Sequence, residues 1–243
     1  MAITHAHIEA FNRYLATTAG REKACRLVQY FARFYAFYLL RTGAPKEAIQ
    51  RWADLKSSLG TGRKFFRLLK PVEFAQNGVK SLAIKDEVIR AGTFVKQFGY
   101  FFYYCCEAAN LANTIKFYKL ENIKTITRFG SKCWLAGLTA SLLTGLYKFK
   151  QLEVRAQMLK KSAKAMATKH EDSVDRLAEL QAEKKQLAKD AYSTRYQFLQ
   201  DSIDILIPLG GLEILPLDEG ILGLAGMATS LLAMNTQWKK VNK

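Results

Sequence analysis

Residues 51–70 read R-W-A-D-L-K-S-S-L-G-T-G-R-K-F-F-R-L-L-K, and everything else in the chain is weighed against that pattern. Wound as one helix, the stretch lines up Leu55, Leu59, Gly62, Phe66 and Leu69 on one stripe, with Trp52 and Phe65 beside it. Lys56, Arg63, Arg67 and Lys70 repeat those offsets one residue later, with Lys64 behind them, and Asp54 is the single acid. Aromatics and leucines edged by Lys and Arg are the composition of a helix lying flat in a membrane surface. The expected roles follow. Trp52, Leu55, Leu59, Phe65, Phe66 and Leu69 insert among acyl chains, while Lys56, Arg63, Lys64, Arg67 and Lys70 bind anionic phospholipid headgroups. The competing reading is an ordinary amphipathic helix packed on its own protein, with a solvated basic face.

Magnitudes favour apolar insertion as the holding force. Burying Leu55, Leu59, Phe65, Phe66 and Leu69 is worth on the order of 8–15 kcal/mol before ordering costs. Each cation near an anionic leaflet adds about 1 kcal/mol, and salt weakens it. The basic band therefore selects the lipid. Gly60 and Gly62 each cost roughly 1 kcal/mol of helicity, so the segment orders only against a surface.

The chain has 243 residues, 37 Lys and Arg against 21 Asp and Glu, and a net charge of +16. That surplus points to an anionic partner, membrane or nucleic acid. It is concentrated early: residues 1–70 hold 13 basic and 4 acidic side chains, whereas 201–243 hold 3 and 5. The cysteines, at 25, 105, 106 and 133, form no CxxC pair and read as buried thiols of a reducing compartment. The start carries no basic-then-apolar leader, which places the chain on the cytosolic side unless internal segments enter a membrane.

Helix follows helix along the sequence. The four prolines stand at 45, 71, 208 and 216, and no strand-hairpin alternation occurs. Ile8, Phe11 and Leu15 mark a first helix over 4–19, ended near Thr17–Gly20. A second, over roughly 20–41, carries six aromatics among the nine residues Tyr30–Tyr38, interleaved with arginines as at a water–lipid boundary. A helix over 72–92 closes at Gly92, and a second aromatic cluster, F-G-Y-F-F-Y-Y-C-C-E, runs from Phe98 to Glu107.

Residues 133–147 carry no charge, and Ala136-Gly137, Ala140-Ser141 and Thr144-Gly145 form a small-residue stripe that lets helices approach closely. The run reads as a short membrane segment, with a buried core helix as its rival. A charged helix spans 148–200, with Leu177, Leu180 and Leu187 at coiled-coil positions interrupted by Ser173 and Lys184. Residues 203–238 read as further membrane segments, Gly220–Trp238 being the best spanning candidate. The expected architecture is all-α and membrane-associated. An interfacial region, 1–120, would contain the remodelling helix, and an anchoring region, 121–243, one or two short membrane segments.

Catalytic motifs are lacking. Gly60-Thr61-Gly62-Arg63-Lys64 lacks the phosphate-loop spacing, His5, His7 and His170 make no metal or acid–base group, and no catalytic-serine motif occurs. No cofactor is expected.

The run Leu15–Tyr30 (L-A-T-T-A-G-R-E-K-A-C-R-L-V-Q-Y), then Leu59–Lys70, then Pro208-Leu-Gly-Gly and Gly220-Ile-Leu-Gly-Leu-Ala-Gly resemble the peroxisomal biogenesis factor 11 family, in the same order over nearly the whole chain. Within Tyr100–Glu107, Cys105-Cys106-Glu107 departs from the family's pattern of Tyr and Phe before an Asp. The resemblance implies a peroxisomal membrane protein with both termini in the cytosol that forms homo-oligomers. It implies elongation of the peroxisome before fission by insertion of a helix matching Arg51–Lys70. It also implies, as partners, a dynamin-related fission GTPase and its tail-anchored adaptor. The alternative is a pore for small metabolites built from 133–147 and 203–238. A nucleic-acid binder fits the charge but not the apolar tail, and no nucleic-acid partner is expected; an enzyme fits least.

Overall fold

Thr17 ends one helix and starts the next. Its Oγ1 accepts from Gly20 N at 3.0 Å, the N-cap bond that launches a 24-residue helix out of the first. The computed structural model describes residues 5–169 and 174–242. Among these the protein is all-helical: α1 His5–Ala16, α2 Thr18–Arg41, α3 Lys46–Phe65, α4 Lys70–Ser81, α5 Glu87–Thr114, α6 Ile123–Lys169, α7 Val174–Asp204, α8 Leu206–Gly211 and α9 Glu219–Val241. Gly43, at φ +72°, supplies the left-handed turn after α2, and Pro45 sets the entry to α3.

Several expected boundaries move. The single helix over 51–70 is two elements: α3 stops at Phe65, residues 66–69 turn, and α4 begins at Lys70. Pro71 is the cause, because its ring excludes the carbonyl four residues earlier and it has no N–H to donate; it fits only in a first turn. Gly92 closes no helix. Asp86 caps Ile89 N at 2.9 Å and starts α5 there, and Gly92 lies inside it because Thr144 fills the space where a Cβ would stand. The uncharged run 133–147 is the middle of the 47-residue α6, which also takes up 148–169 of the expected charged helix. Ser173, His170 and the side chain of Leu177 lie outside the described residues. Leu187 joins Leu152 and Leu159 in an apolar groove between α6 and α7. Residues 203–238 divide among the end of α7, α8, a turn and α9. Among the described residues, no helix is long and apolar enough to cross a membrane.

Two antiparallel pairs form the frame. In α5–α6, Gly92 meets Thr144, Gly99 meets Cys133 and Gly137, and Cys106 meets Gly130. In α9–α2, Gly220 faces Phe37, Gly223 faces Phe34 and Gly226 faces Tyr30. In both pairs glycine lets large side chains or the opposite backbone approach where any Cβ would collide. α3 lies against α2, α4 against α5, and α7 bridges α6 and α9. Polar bonds fasten the frame: Ser141 of α6 donates to Asp201 of α7 at 2.5 Å, and Lys96 of α5 donates to Ser141 at 2.7 Å. Arg26 of α2 reaches Asp204 Oδ1 at 2.6 Å and Thr229 Oγ1 of α9 at 2.9 Å.

Candidate functional site

The α3–α4 corner carries the apolar residues singled out in the sequence. Leu55, Phe65, Phe66 and Leu69 are exposed, Leu69 at 81%, and Leu68, Val72, Val79 and Leu82 extend the same ridge. A turn this apolar, only partly covered by its own chain, is costly in water and suits a lipid leaflet. Trp52 and Leu59 are half-buried instead. Trp52 stands edge-on to Phe31 and Tyr35 of α2, with ring centroids 5.7 and 4.7 Å apart, so it docks α3 onto the bundle.

The basic band points the other way, because buried acids of α2 and α5 draw it inward. Arg63 is 6% exposed and donates Nε and Nη2 to Glu22 Oε1 at 2.9 and 2.7 Å, with a further bond to Gln29. Arg67 sits 2.9 Å from Glu107 Oε2 and over the Tyr104 ring. Lys64 donates to Asn110 of α5. Lys56 reaches Glu219 at 3.2 Å, and Lys70 reaches Glu73 at 2.7 Å. Of the five cations, then, three line the interior, one crosses to α9 and one pairs along its own helix.

Between α2, α3 and α5 these groups enclose a cleft of about 580 Å³. α2 contributes Lys23, Arg26 and Arg33 with the acid Glu22; α3 contributes Lys56, Arg63 and Lys64, followed by Arg67. Tyr100, Tyr103, Tyr104 and Glu107 of α5 form an aromatic wall, and Asp204 closes the far side. Burial alone would raise the Glu22 carboxyl, but Lys23, Arg63 and Arg67 outweigh it and bring its pKa from 4.5 down to about 2. Burial pulls the Lys64 ammonium below its ordinary value, only partly opposed by Glu107.

Sequence reasoning gave no role to Glu22 or Asp204 and noted Glu107 only as a departure from the family's pattern, yet these acids organise this cleft. Each stands out once the context is stated: Glu22 sits alone between Arg21 and Lys23, and Asp204 interrupts an apolar run from Ile203 to Leu209. A lone acid in a basic or apolar stretch needs a partner when it is buried. Elsewhere, the four cysteines are unbonded and half-buried, and His5 pairs with Glu9 at 2.9 Å. Among the described residues no group of His, Cys, Asp and Glu could hold a metal ion.

The family model described as peroxisomal biogenesis factor 11 (PEX11) matches residues 8–238. The chain belongs to that family. It is 31% identical to the peroxisomal membrane protein PMP27 of Saccharomyces cerevisiae, covering 98% of this chain and 97% of that one. It is 29% identical to the peroxisomal membrane protein PMP30B of Candida boidinii, over 97% and 96% of the two chains. The human peroxisomal membrane protein 11A is 24% identical over 94% and 96%. No solved structure matches the chain. The match runs through the α3–α4 corner, the cleft and the α9 glycines alike, so family membership rests on the whole bundle rather than on one motif.

Proposed function

We propose that this chain is a peroxisomal membrane protein that elongates its membrane ahead of fission by driving the α3–α4 corner into one leaflet. The reading is supported by the names its PEX11 relatives carry and, above all, by one observation: the Phe65–Val72 ridge faces outward while Arg63, Lys64 and Arg67 turn in. Phe65, Phe66 and Leu69, with Leu55 behind them, enter the acyl region, and each buried side chain contributes roughly 1.5–3 kcal/mol. Trp52 and Leu59 join the inserted face when α3 tilts away from α2. Lys56 and Lys70, near the rim, meet anionic headgroups first; Arg63, Lys64 and Arg67 reach them only if the inward pairs open. Wedges that occupy one leaflet enlarge its area, and self-association of the chain concentrates them until the membrane tubulates.

The apolar outward face of α9, with Ile221, Leu224 and Leu231, and the 133–147 part of α6 anchor the protein in this scheme. Both termini face the cytosol, where a dynamin-related GTPase and its tail-anchored adaptor complete the division. Full-length protein reconstituted with anionic liposomes tests the wedge. F65E and L69E should each abolish tubulation while leaving thermal unfolding in detergent unchanged, since both side chains are exposed. Tubulation that survives both changes removes the ridge as the cause.

A further inference from the structure

The cleft between α2, α3 and α5 has a charge balance that the fold alone does not require. Its cations are Lys23, Arg26 and Arg33 from α2 and Lys56, Arg63, Lys64 and Arg67 from the α3 end, seven in all. Against them stand Glu22, Glu107 and Asp204 on the lining and Glu219 at the rim, four in all. Arg26 is matched by Asp204, Arg63 by Glu22 and Arg67 by Glu107. Arg33 and Lys56 share Glu219. Lys23 shares, at 3.0 Å, the carboxylate already taken by Arg63, and Lys64 hydrogen-bonds the neutral amide of Asn110 while the nearby Glu107 is itself paired with Arg67.

Positive charge held in a low-dielectric cleft without an equal number of acids is destabilising unless an anion enters. The cleft volume, about 580 Å³, is that of a small-molecule site. One polar atom in it also lacks a hydrogen bond: Glu107 Oε2 touches Arg67 at 2.9 Å without hydrogen-bond alignment and is buried.

We infer that the cleft binds a phosphate ester, with Lys23, Lys64 and Arg67 on the phosphate and the Tyr100–Tyr104 wall beside the ester's organic part. Guanidinium and ammonium groups brought together from α2, α3 and the turn that follows α3 are the donors that hold a multiply charged phosphate oxygen cluster. The depressed affinity of buried Lys64 for its proton marks it as desolvated, the condition that a bound dianion reverses. The phosphate arrives either on a free metabolite or on a lipid headgroup reaching in from the α3 rim.

Full-length protein in neutral detergent micelles, titrated calorimetrically with inorganic pyrophosphate, tests this without any membrane. Saturable one-to-one binding that weakens as NaCl is raised is the expected result. Lys23→Met with Lys64→Met should weaken it about tenfold or more, the loss of charge-assisted hydrogen bonds, with unchanged thermal unfolding in the absence of ligand. Lys160→Met with Lys161→Met, on an exposed stretch of α6 remote from the cleft, should bind as the unaltered chain does. If the paired cleft variant fails to fold, Lys23→Met alone is used instead, and pyrophosphate binding unchanged in it overturns the assignment.

A second arm replaces pyrophosphate with phosphatidylcholine vesicles containing phosphatidylinositol phosphate, using the F65E, L69E chain so that the ridge plays no part. Binding there that depends on Lys23 and Lys64, with none to pyrophosphate, assigns the site to a headgroup; pyrophosphate binding assigns it to a free ester. If neither probe responds to the loss of Lys23 and Lys64, the site does not exist. Because the pyrophosphate arm involves no vesicle, its outcome is independent of whether the ridge bends membranes.

Discussion

Glu22 is 5% exposed and holds Arg63 by two hydrogen bonds from one guanidinium. Removing one member of such a buried pair strands the other, at a cost of about 3–5 kcal/mol, whereas neutralising both removes the penalty along with the attraction. R63A should therefore lower the midpoint of thermal unfolding in detergent sharply, and E22Q combined with R63M should recover only part of the loss, because Lys23 also loses its carboxylate. The same carboxylate fixes an acid limit. Its folded pKa of about 2 lies below the ordinary 4.5, so its contribution is complete above about pH 4.5 and is lost as the pH falls toward 2. On the order of 3 kcal/mol is involved. Unfolding midpoints at pH 7 and pH 3 should differ more for the unaltered chain than for E22Q; an equal acid shift in both would deny Glu22 that role. Composition shows the basic surplus around Glu22 plainly, but nothing in the local pattern says that Arg63, 41 residues away, is the partner, because only the α2–α3 packing brings them together.

At the scale of helices, glycine separates what could be read from what could not. The run G-I-L-G-L-A-G at 220–226 announces a helix face without side chains, and the stripe at Gly137, Ser141 and Thr144 announces another. Both faces are used, but their partners, the Tyr30–Phe37 aromatics of α2 and the Gly92–Gly99 segment of α5, are settled only by the antiparallel packing. A Cβ at Gly226 would lie 2.1 Å from the Tyr30 ring. Gly62, in the interior of α3, has nothing within 4 Å of the same position. Opposite outcomes are expected from one substitution. G226A should destabilise by about 1–3 kcal/mol through overpacking, while G62A should stabilise by about 0.5–1 kcal/mol through the smaller loss of backbone freedom. Denaturant unfolding of both variants in the same detergent checks the pair; a stabilising G226A would mean that α9 does not pack on α2 as described. The break at Phe65 belongs to this scale too. The periodicity of 51–70 continues unbroken across it and Pro71 sits in the first turn of the next helix, so the stripe was legible while its bend into a corner was not.

For the molecule as a whole, area decides what surrounds it. A soluble monomer of 27.5 kDa exposes about 11,000 Å² by the usual scaling, and this chain exposes 15856 Å². Among the described residues the exposed set includes Leu40, Leu69, Val72, Val79, Phe117 and Leu143, while Glu22, Arg26, Arg63, Asp201 and Asp204 are buried. These features coexist with a small apolar core and with many exposed lysines and arginines, and the exposed apolar set is what lipid tails would solvate better than water. The apolar runs of the sequence read as membrane segments, but among the described residues no helix is long and apolar enough to cross a membrane. That no single helix carries the whole apolar load followed only from seeing it shared among α3, α4, α5 and α9. A nitroxide placed on L69C should sit in acyl chains when the full chain is bound to anionic vesicles, and one on K160C should stay in water. Oxygen should therefore relax the first more strongly and a water-soluble nickel chelate the second. The native thiols are half-buried and are replaced by Ser beforehand, with tubulation checked after replacement. Raising salt should reduce the bound fraction but not the depth at position 69, since charge recruits the corner and apolar burial holds it. A label at 69 as accessible to the chelate as one at 160 would mean that the corner rests in water, and that the exposed area is covered by other copies of the chain instead.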